Sequence, residues 1–511
     1  MDAKMPRPAM RNKMLSLCRF SAQGSSQSGA DAIGAAHGRP WGEHTMDAMV
    51  DSRRQAAAIL ARLDRLPATR TMWTMVALLS LGGLFEFYDL FMTAYVIPGF
   101  VKAGMLAGLG VGIFQGPALF VASTFTGLFI GTFVFGFVAD TYGRRAVFTF
   151  SMLAYCACTL VMAFQSTGWG VCLWRLLAGI GIGVELVTID TYIAELVPKY
   201  LRGRAFAFNQ TVQFAVVPIV AFLSYILVPM APLGWDGWRW VVAIGSVGAL
   251  AVWFLRRGVP ESPRWLLNQG RIAEAEAVTA QIEARILIDL NGAPLPPPVT
   301  HAVERLEAKG GFAEIWRAPL RNRTIMLMIF QFFQTFGFYG FAAWVPQLIA
   351  SQLGFNIAAN LQYAFIIAIA NPFGPLLAMS FADKFERKWQ LVGAAMCIAV
   401  FGVLFSYQTT VPLLILFGVL ITLSNNVMSY SFHSYQTELF PTRVRARAVG
   451  FTYAFSRIST VFASFIIGWF LMEAGTKGVF GLIAFAMLMV VLSIGILGPR
   501  TNRLELEEIS H

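Results

Sequence analysis

Glu86 and Asp89 stand three residues apart inside "LGGLFEFYDLFMTAYVIPGF" (Leu81–Phe100), a run that is otherwise apolar and long enough to cross a membrane. On a helix that spacing puts them about 60° apart, near one face. A carboxylate at the bilayer centre costs about 2.5–3.5 kcal/mol on insertion scales, so acids in such runs avoid lipid and face a cavity or a partner. A carboxyl held there can take up and release a proton as its access to water alternates. A basic partner for these acids is at hand in Arg175, early in a later apolar run.

Other polar residues in apolar runs extend the list. Arg457 is deep in the second half of the chain with no acid in its own run, and a substrate carboxylate would satisfy it in a two-pronged contact. The alternative is an acid from another run, or Glu473. Glu185 and Asp190 share a run but sit five residues apart, about 140° around a helix, so they cannot share one face fully. Glu185 lies deeper and is a candidate substrate or proton contact. Gln331, Gln334, Asn425 and Asn426 either bind substrate or bond across helices. His433 is read as hydrogen-bonded packing, the usual state of a lone helical histidine.

The elements that position these residues are helices. The chain has 511 residues, a mean hydropathy of +0.62, 57% hydrophobic residues and 13% charged ones, too few charges for an ordinary soluble domain. Apolar runs near the length of a hydrocarbon core predict twelve spans, at 72–99, 114–138, 146–165, 171–196, 205–229, 238–256, 323–349, 360–381, 389–408, 411–434, 446–471 and 475–497. The fold class is therefore all-α, a polytopic membrane protein of twelve transmembrane helices in two six-helix halves. Its lipid partner is the bilayer itself. Domains follow as a disordered tail (1–71), a first half (72–256), a charged linker with an amphipathic stretch (257–322), a second half (323–497) and a short C-terminal tail (498–511).

A net charge of +11 invites a nucleic-acid reading, but its placement excludes one. Of the 39 Lys and Arg, all but Lys102, Arg175, Arg239, Arg457 and Lys477 fall on one side if the N-terminus is cytoplasmic. That is the positive-inside pattern, and it puts both termini in the cytoplasm, in a bacterial plasma membrane. No nucleophile–base set, metal-ligand spacing or phosphate loop appears, so neither an enzyme, a cofactor nor a metal is expected. The five cysteines read as small apolar packing.

The chain also repeats itself. "VADTYGRR" and "FADKFERK" place Asp140 and Asp383 243 residues apart, and "TYIAELVPKYLRGRAFAF" and "SYQTELFPTRVRARAVGF" place Tyr192 and Tyr435 at the same separation. "FEFYDLF" aligns with "FQFFQTF", matching Glu86 and Asp89 to Gln331 and Gln334. Two parallel six-helix halves follow.

These motifs carry a resemblance. Gly136-x-x-x-Asp140-x-x-Gly143-Arg144-Arg145, then Arg175-x-x-x-Gly179-x-Gly181-x-Gly183, Tyr192-x-x-Glu195-x-x-Pro198, Arg202-Gly203 and "PESPRWLL" (Pro260–Leu267) resemble the major facilitator superfamily near its sugar porters. "FEFYDLF" looks more like metabolite–proton symporters, and "SRIST" (Ser456–Thr460) resembles a segment of organic-anion transporters. In span seven "FQFFQTFGFYGF" replaces the paired-glutamine and asparagine motif of sugar porters, which points away from a hexose. The resemblance implies a proton-coupled carrier in which Asp89 is the proton site and Arg175 its switchable partner, with Glu86 beside them. It also makes Gly136, Asp140, Gly143, Arg144, Arg145, Glu195, Arg202, Asp383, Glu438 and Arg445 a cytoplasmic gate whose ion pairs close that face and break as the halves rock. The reading is a monomeric proton symporter of a small organic acid, binding through Arg457, Gln331, Gln334, Glu185, Asn425 and Asn426. A sugar or polyol symporter and a transporter-like sensor are the alternatives.

Overall fold

A computed structural model describes residues 41–111, 114–135, 138–255, 258–298, 312–354, 356–381, 385–440 and 442–500. The described residues fall into two units, Trp41–Asp51 in the first and Ser52 onward in the second. The helices are α1 Trp41–Asp64, α2 Arg70–Lys102, α3 Gly116–Phe135, α4 Val138–Tyr142, α5 Arg144–Ala163, α6 Gly168–Leu196, α7 Arg202–Leu227, α8 Gly237–Leu255, α9 Pro263–Asn268 and α10 Ile272–Asp289. They continue as α11 Leu320–Ala342, α12 Val345–Leu353, α13 Ile357–Ala368, α14 Phe373–Phe381, α15 Arg387–Ser406, α16 Val411–Glu438 and α17 Thr442–Leu492. Between α2 and α3, Gly110 pairs with Gln115 and Val111 with Phe114 in a two-residue antiparallel hairpin.

Among the described residues, ten helices are long and apolar enough to cross a membrane. One of them, Ala448–Leu497, carries two spans, because the backbone turns at Gly475 (φ 61°, ψ −161°). The shorter apolar stretch Gly237–Ala251 of α8 completes the twelve expected. Pro98 and Pro218 lie inside α2 and α7, as membrane helices tolerate when neighbouring groups take up the freed carbonyls.

The tail differs from the expectation of disorder through residue 71, which is corrected for its last third. Ile59 and Leu63 of α1 and Leu66 just past its end are all buried in one cluster with Leu201, Leu266, Ile282 and Ile286. That i, i+4, i+7 pattern sits in "AAAILARLDRL", behind a long polar stretch that hides it from composition alone. Charges frame the contact. Arg62 and Arg65 reach Glu283 at 2.5 and 2.7 Å, Arg264 reaches Asp64 at 2.6 Å, and the Thr71 N–H donates to Asp289 at 2.6 Å. The segment 52–71 is thus a strap across the linker helices.

Burial alone would raise the Glu283 pKa, but hydrogen bonds and charge from Arg62 and Arg65 outweigh it and hold the carboxyl below its usual range. With the folded value depressed, this contribution is complete above the ordinary glutamate value of about 4.3 and is lost as pH falls through the lower folded value. Glu283→Gln at neutral pH should release the strap and speed tryptic cleavage at Arg62 and Arg65 several-fold. Equal cleavage of both proteins at neutral pH would show that the apolar stripe alone holds it.

Candidate functional site

The first constellation is built on a close helix contact. A Cβ at Gly179 would lie 2.5 Å from the Thr124 carbonyl oxygen, so glycine there lets α6 lie directly on α3. One turn earlier, Arg175 is completely buried and every nitrogen of its guanidinium is used. Its Nη1 donates to Asp89 Oδ2 at 2.6 Å, its Nη2 to the Asp89 carbonyl and to Thr93 Oγ1 at 2.6 Å each, and its Nε to Thr124 Oγ1 at 3.0 Å. The second carboxylate oxygen of Asp89 accepts from Thr159 Oγ1 at 3.1 Å. Four helices, α2, α3, α5 and α6, converge on one ion pair. Breaking a buried pair by removing one partner typically costs about 3–5 kcal/mol.

The second constellation surrounds Arg457 on α17, which is 3% exposed. Its Nη2 donates to Tyr453 Oη at 3.0 Å and its Nη1 to Tyr339 Oη at 3.5 Å, while the guanidinium lies 4.8 Å from the Tyr453 ring. Its Nε is buried without a hydrogen-bond partner, and no carboxylate stands at ion-pair distance among the described residues. Glu86, fully buried on α2, is close enough for its charge to act on both Arg457 and Tyr453. Tyr339 also packs edge-on against Phe125 of α3 at 4.8 Å, so the arginine's support reaches across the seam between the halves.

That seam is closed at the face away from the strap. Gln347 Nε2 donates to the Ala94 carbonyl at 3.3 Å, and Phe222 packs on Phe365 at 5.3 Å. Asp190, six residues before the end of α6, keeps exposed surface although it lies inside the bundle, and Asn209 Nδ2 stands 3.5 Å from it. Asp190 and His433 are 243 residues apart, equivalent positions in the repeat, and their charges interact. The Nδ1 of His433 is bonded to the Ser429 carbonyl at 2.8 Å, in keeping with its packing role.

Between the halves lies a small cavity of about 20 Å³, lined by Phe91, Tyr95, Phe338 and Phe341 together with Asn371, Asn425 and Asn426. Asn426 Nδ2 donates to the Asn371 carbonyl and to its side-chain oxygen at 3.1 and 3.3 Å. Gln334 Nε2 donates to Gln331 Oε1 at 3.4 Å, so the two glutamines hold one another on α11. Glu185 is fully buried within the first half, where its charge acts on Cys156 of α5, and no described contact brings it to Arg457.

At the strap face the described residues of the expected gate form pairs within each half. Arg144 pairs with Glu195 at 3.0 Å and Arg387 pairs with Glu438, two repeat-equivalent bridges that each lie inside one half. Each of these two bridges braces its own half. Glu261 of "PESPRWLL" accepts from the Arg144 N–H at 3.1 Å, and Arg264 donates to the Glu195 carbonyl at 3.0 Å. Gly143 has φ 99°, and a Cβ there would meet Glu261 at 2.5 Å, which accounts for the glycine in that motif. Arg202 donates through Nε to the Val197 carbonyl at 3.3 Å, and Arg145 is exposed. Gly136 and Asp383 lie outside the described residues, as do the side chains of Asp140 and Arg445.

Sequence reasoning missed the hydroxyls that surround the Asp89–Arg175 pair and Arg457. Thr93 lies four residues beyond Asp89 and Tyr453 four before Arg457, so helical spacing from the charged residue would have found these two. Thr124, Thr159 and Tyr339 come from other helices and carry no local signal.

Comparison with known proteins adds three findings. Residues 75–511 match the family described as "Sugar (and other) transporter". YyaJ of Bacillus subtilis is 31% identical over 451 residues, covering 86% of this chain and 95% of its own, and the niacin transporter NiaP of Acinetobacter baylyi is 26% identical over 452 residues, covering 88% and 99%. The structure of the major facilitator superfamily proton:xylose symporter XylE of E. coli superposes with a TM-score of 0.66 at 22% identity, covering 86% of this chain and 98% of that one.

Proposed function

The chain belongs to the sugar transporter family of the major facilitator superfamily, integral membrane carriers and not enzymes, and from that premise we propose that it imports a small organic acid by proton symport. The observation that carries the acid is Arg457. It is buried, held by two tyrosine hydroxyls and left with an unused Nε–H, a geometry that a carboxylate would complete with charge-assisted hydrogen bonds. The similarity to a transporter of niacin, itself a ring carboxylic acid, supports the same substrate class.

Proton coupling rests on Asp89 and Arg175, supported by the likeness to a proton:xylose symporter. Protonation of Asp89 would remove the charge opposing Arg175, whose other bonds to Thr93, Thr124 and the Asp89 carbonyl would hold the guanidinium in place. The pair would therefore switch electrostatically without collapsing. Glu86 would serve as the counter-charge for Arg457 in the empty carrier and take a proton when a substrate carboxylate arrives. The basic strap face would be cytoplasmic, by the positive-inside rule. The carrier would act as a monomer.

A second reading, a sugar or polyol symporter, draws on the amides of Gln331, Gln334, Asn371, Asn425 and Asn426 around the central cavity. Thermal unfolding of the purified protein in a panel of carboxylates and neutral sugars separates the two, because a ligand at a hundred times its Kd stabilises the fold by about 2.7 kcal/mol. Stabilisation by carboxylates is expected. Stabilisation confined to sugars would replace the organic acid with the second reading.

A further inference from the structure

The central cavity holds a polar group that neither the ion pair nor Arg457 uses. Asn425 on α16 is 4% exposed, and its Nδ2 donates to the Gly337 carbonyl at 3.4 Å. That carbonyl can only accept, so it settles which end of the amide is nitrogen and leaves Oδ1 on the other side. This oxygen is buried and has no hydrogen-bond partner. The neighbouring donors are already committed, Asn426 Nδ2 to Asn371 and Thr422 Oγ1 to the Gly418 carbonyl at 2.9 Å. Beside the aromatic walls of Phe91, Tyr95, Phe338 and Phe341 the Asn425 oxygen is left as an unmatched acceptor.

An unpaired buried acceptor is unfavourable until a donor reaches it. We propose that Asn425 is a specificity residue whose amide oxygen receives a hydroxyl, amino or ring N–H donor, so that the preferred substrates are planar aromatic acids carrying such a donor. This rests on the organic-acid reading above and narrows it. The aromatic walls favour a flat ring that can stack offset or edge-on. A pyranose fits less well, since its several hydroxyls would outnumber the free polar partners and leave some of them buried without one. A ring nitrogen that only accepts, as in a neutral pyridine, would face the Asn425 oxygen lone pair to lone pair.

The test is a binding series on the full-length protein in lipid nanodiscs, using benzoate, 3-hydroxybenzoate, 4-hydroxybenzoate, 4-aminobenzoate, pyridine-3-carboxylate, hexanoate and xylose. In wild type, at least one donor-bearing benzoate should bind about tenfold more tightly than benzoate itself, the size of one net buried hydrogen bond. In Asn425→Leu, which keeps volume but has no acceptor, that ratio should fall to about one. A wild type that binds benzoate as tightly as every donor-bearing analogue overturns the inference, even if the leucine variant does not fold. So does a leucine variant that keeps the tenfold ratio. Binding of hexanoate with none of the ring acids overturns it while leaving the organic-acid reading intact. Binding of xylose alone, or of no acid in the series, overturns both.

Discussion

Asp89→Asn should reduce uptake driven by an imposed pH gradient to the level of empty vesicles, while exchange of labelled for unlabelled substrate persists at a measurable rate. The amide keeps the size and polarity of the carboxyl and cannot titrate in the working range. In the structure Arg175 bonds to one carboxylate oxygen, to the backbone carbonyl of the same residue, and to Thr93 and Thr124. Three of those four contacts survive the substitution, so the guanidinium stays in place and the helices stay packed. What disappears is the group that changes charge. Counterflow and gradient-driven accumulation, compared in the same vesicle preparation, make the measurement independent of how much protein inserted. Normal accumulation in the variant would remove Asp89 from the coupling mechanism and leave the ion pair as a structural brace.

Arg457 is expected to give the second large effect. Truncation to alanine removes the guanidinium whose Nε is unused and leaves Tyr339 and Tyr453 with hydroxyls that can bond to each other or to water. Affinity for the best carboxylate should fall by about a hundredfold or more, since hydrogen bonds to charged groups are worth about 1.5–3 kcal/mol each and two would be lost. Arg457→Lys should lose about tenfold, because an ammonium keeps the charge but cannot present the planar fork. Both variants should insert and unfold near the wild-type temperature. Wild-type affinity in the alanine variant would move the carboxylate elsewhere, and a tightest ligand that proved neutral would favour the sugar reading.

The parts of this account that were legible in the sequence are those written as charge in an apolar setting or as repetition. Asp89 and Arg175 stand out because each is expensive in a membrane unless matched, and they meet at 2.6 Å. The separation of 243 residues makes the bridges Arg144–Glu195 and Arg387–Glu438 equivalent, but the pairing itself, each inside its own half, was not written in the repeat. Which partner an arginine chooses among several nearby acids depends on tertiary distances that the repeat does not encode. The hydroxyls of Thr124 and Thr159 were illegible for a different reason. Threonines in membrane helices usually bond back to their own turn, as Thr124 does to the Phe120 carbonyl at 3.3 Å while it also accepts from Arg175, so nothing marks the two that reach across helices. The strap was missed because one apolar stripe, Ile59, Leu63 and Leu66, follows a long polar stretch that dominates the composition.

Movement of protons with the substrate tests the central claim most directly. Proteoliposomes loaded at matched pH, with a potassium ionophore to clamp the voltage, would receive the tightest-binding carboxylate while a dye reports external pH, with protein-free vesicles subtracted for passive permeation of the acid. The account predicts saturable alkalinisation of the medium that follows substrate entry, is absent in Asp89→Asn, and is not elicited by the acid when Arg457 is alanine. Substrate entry with no proton movement, or alkalinisation that Asp89→Asn leaves unchanged, would contradict it.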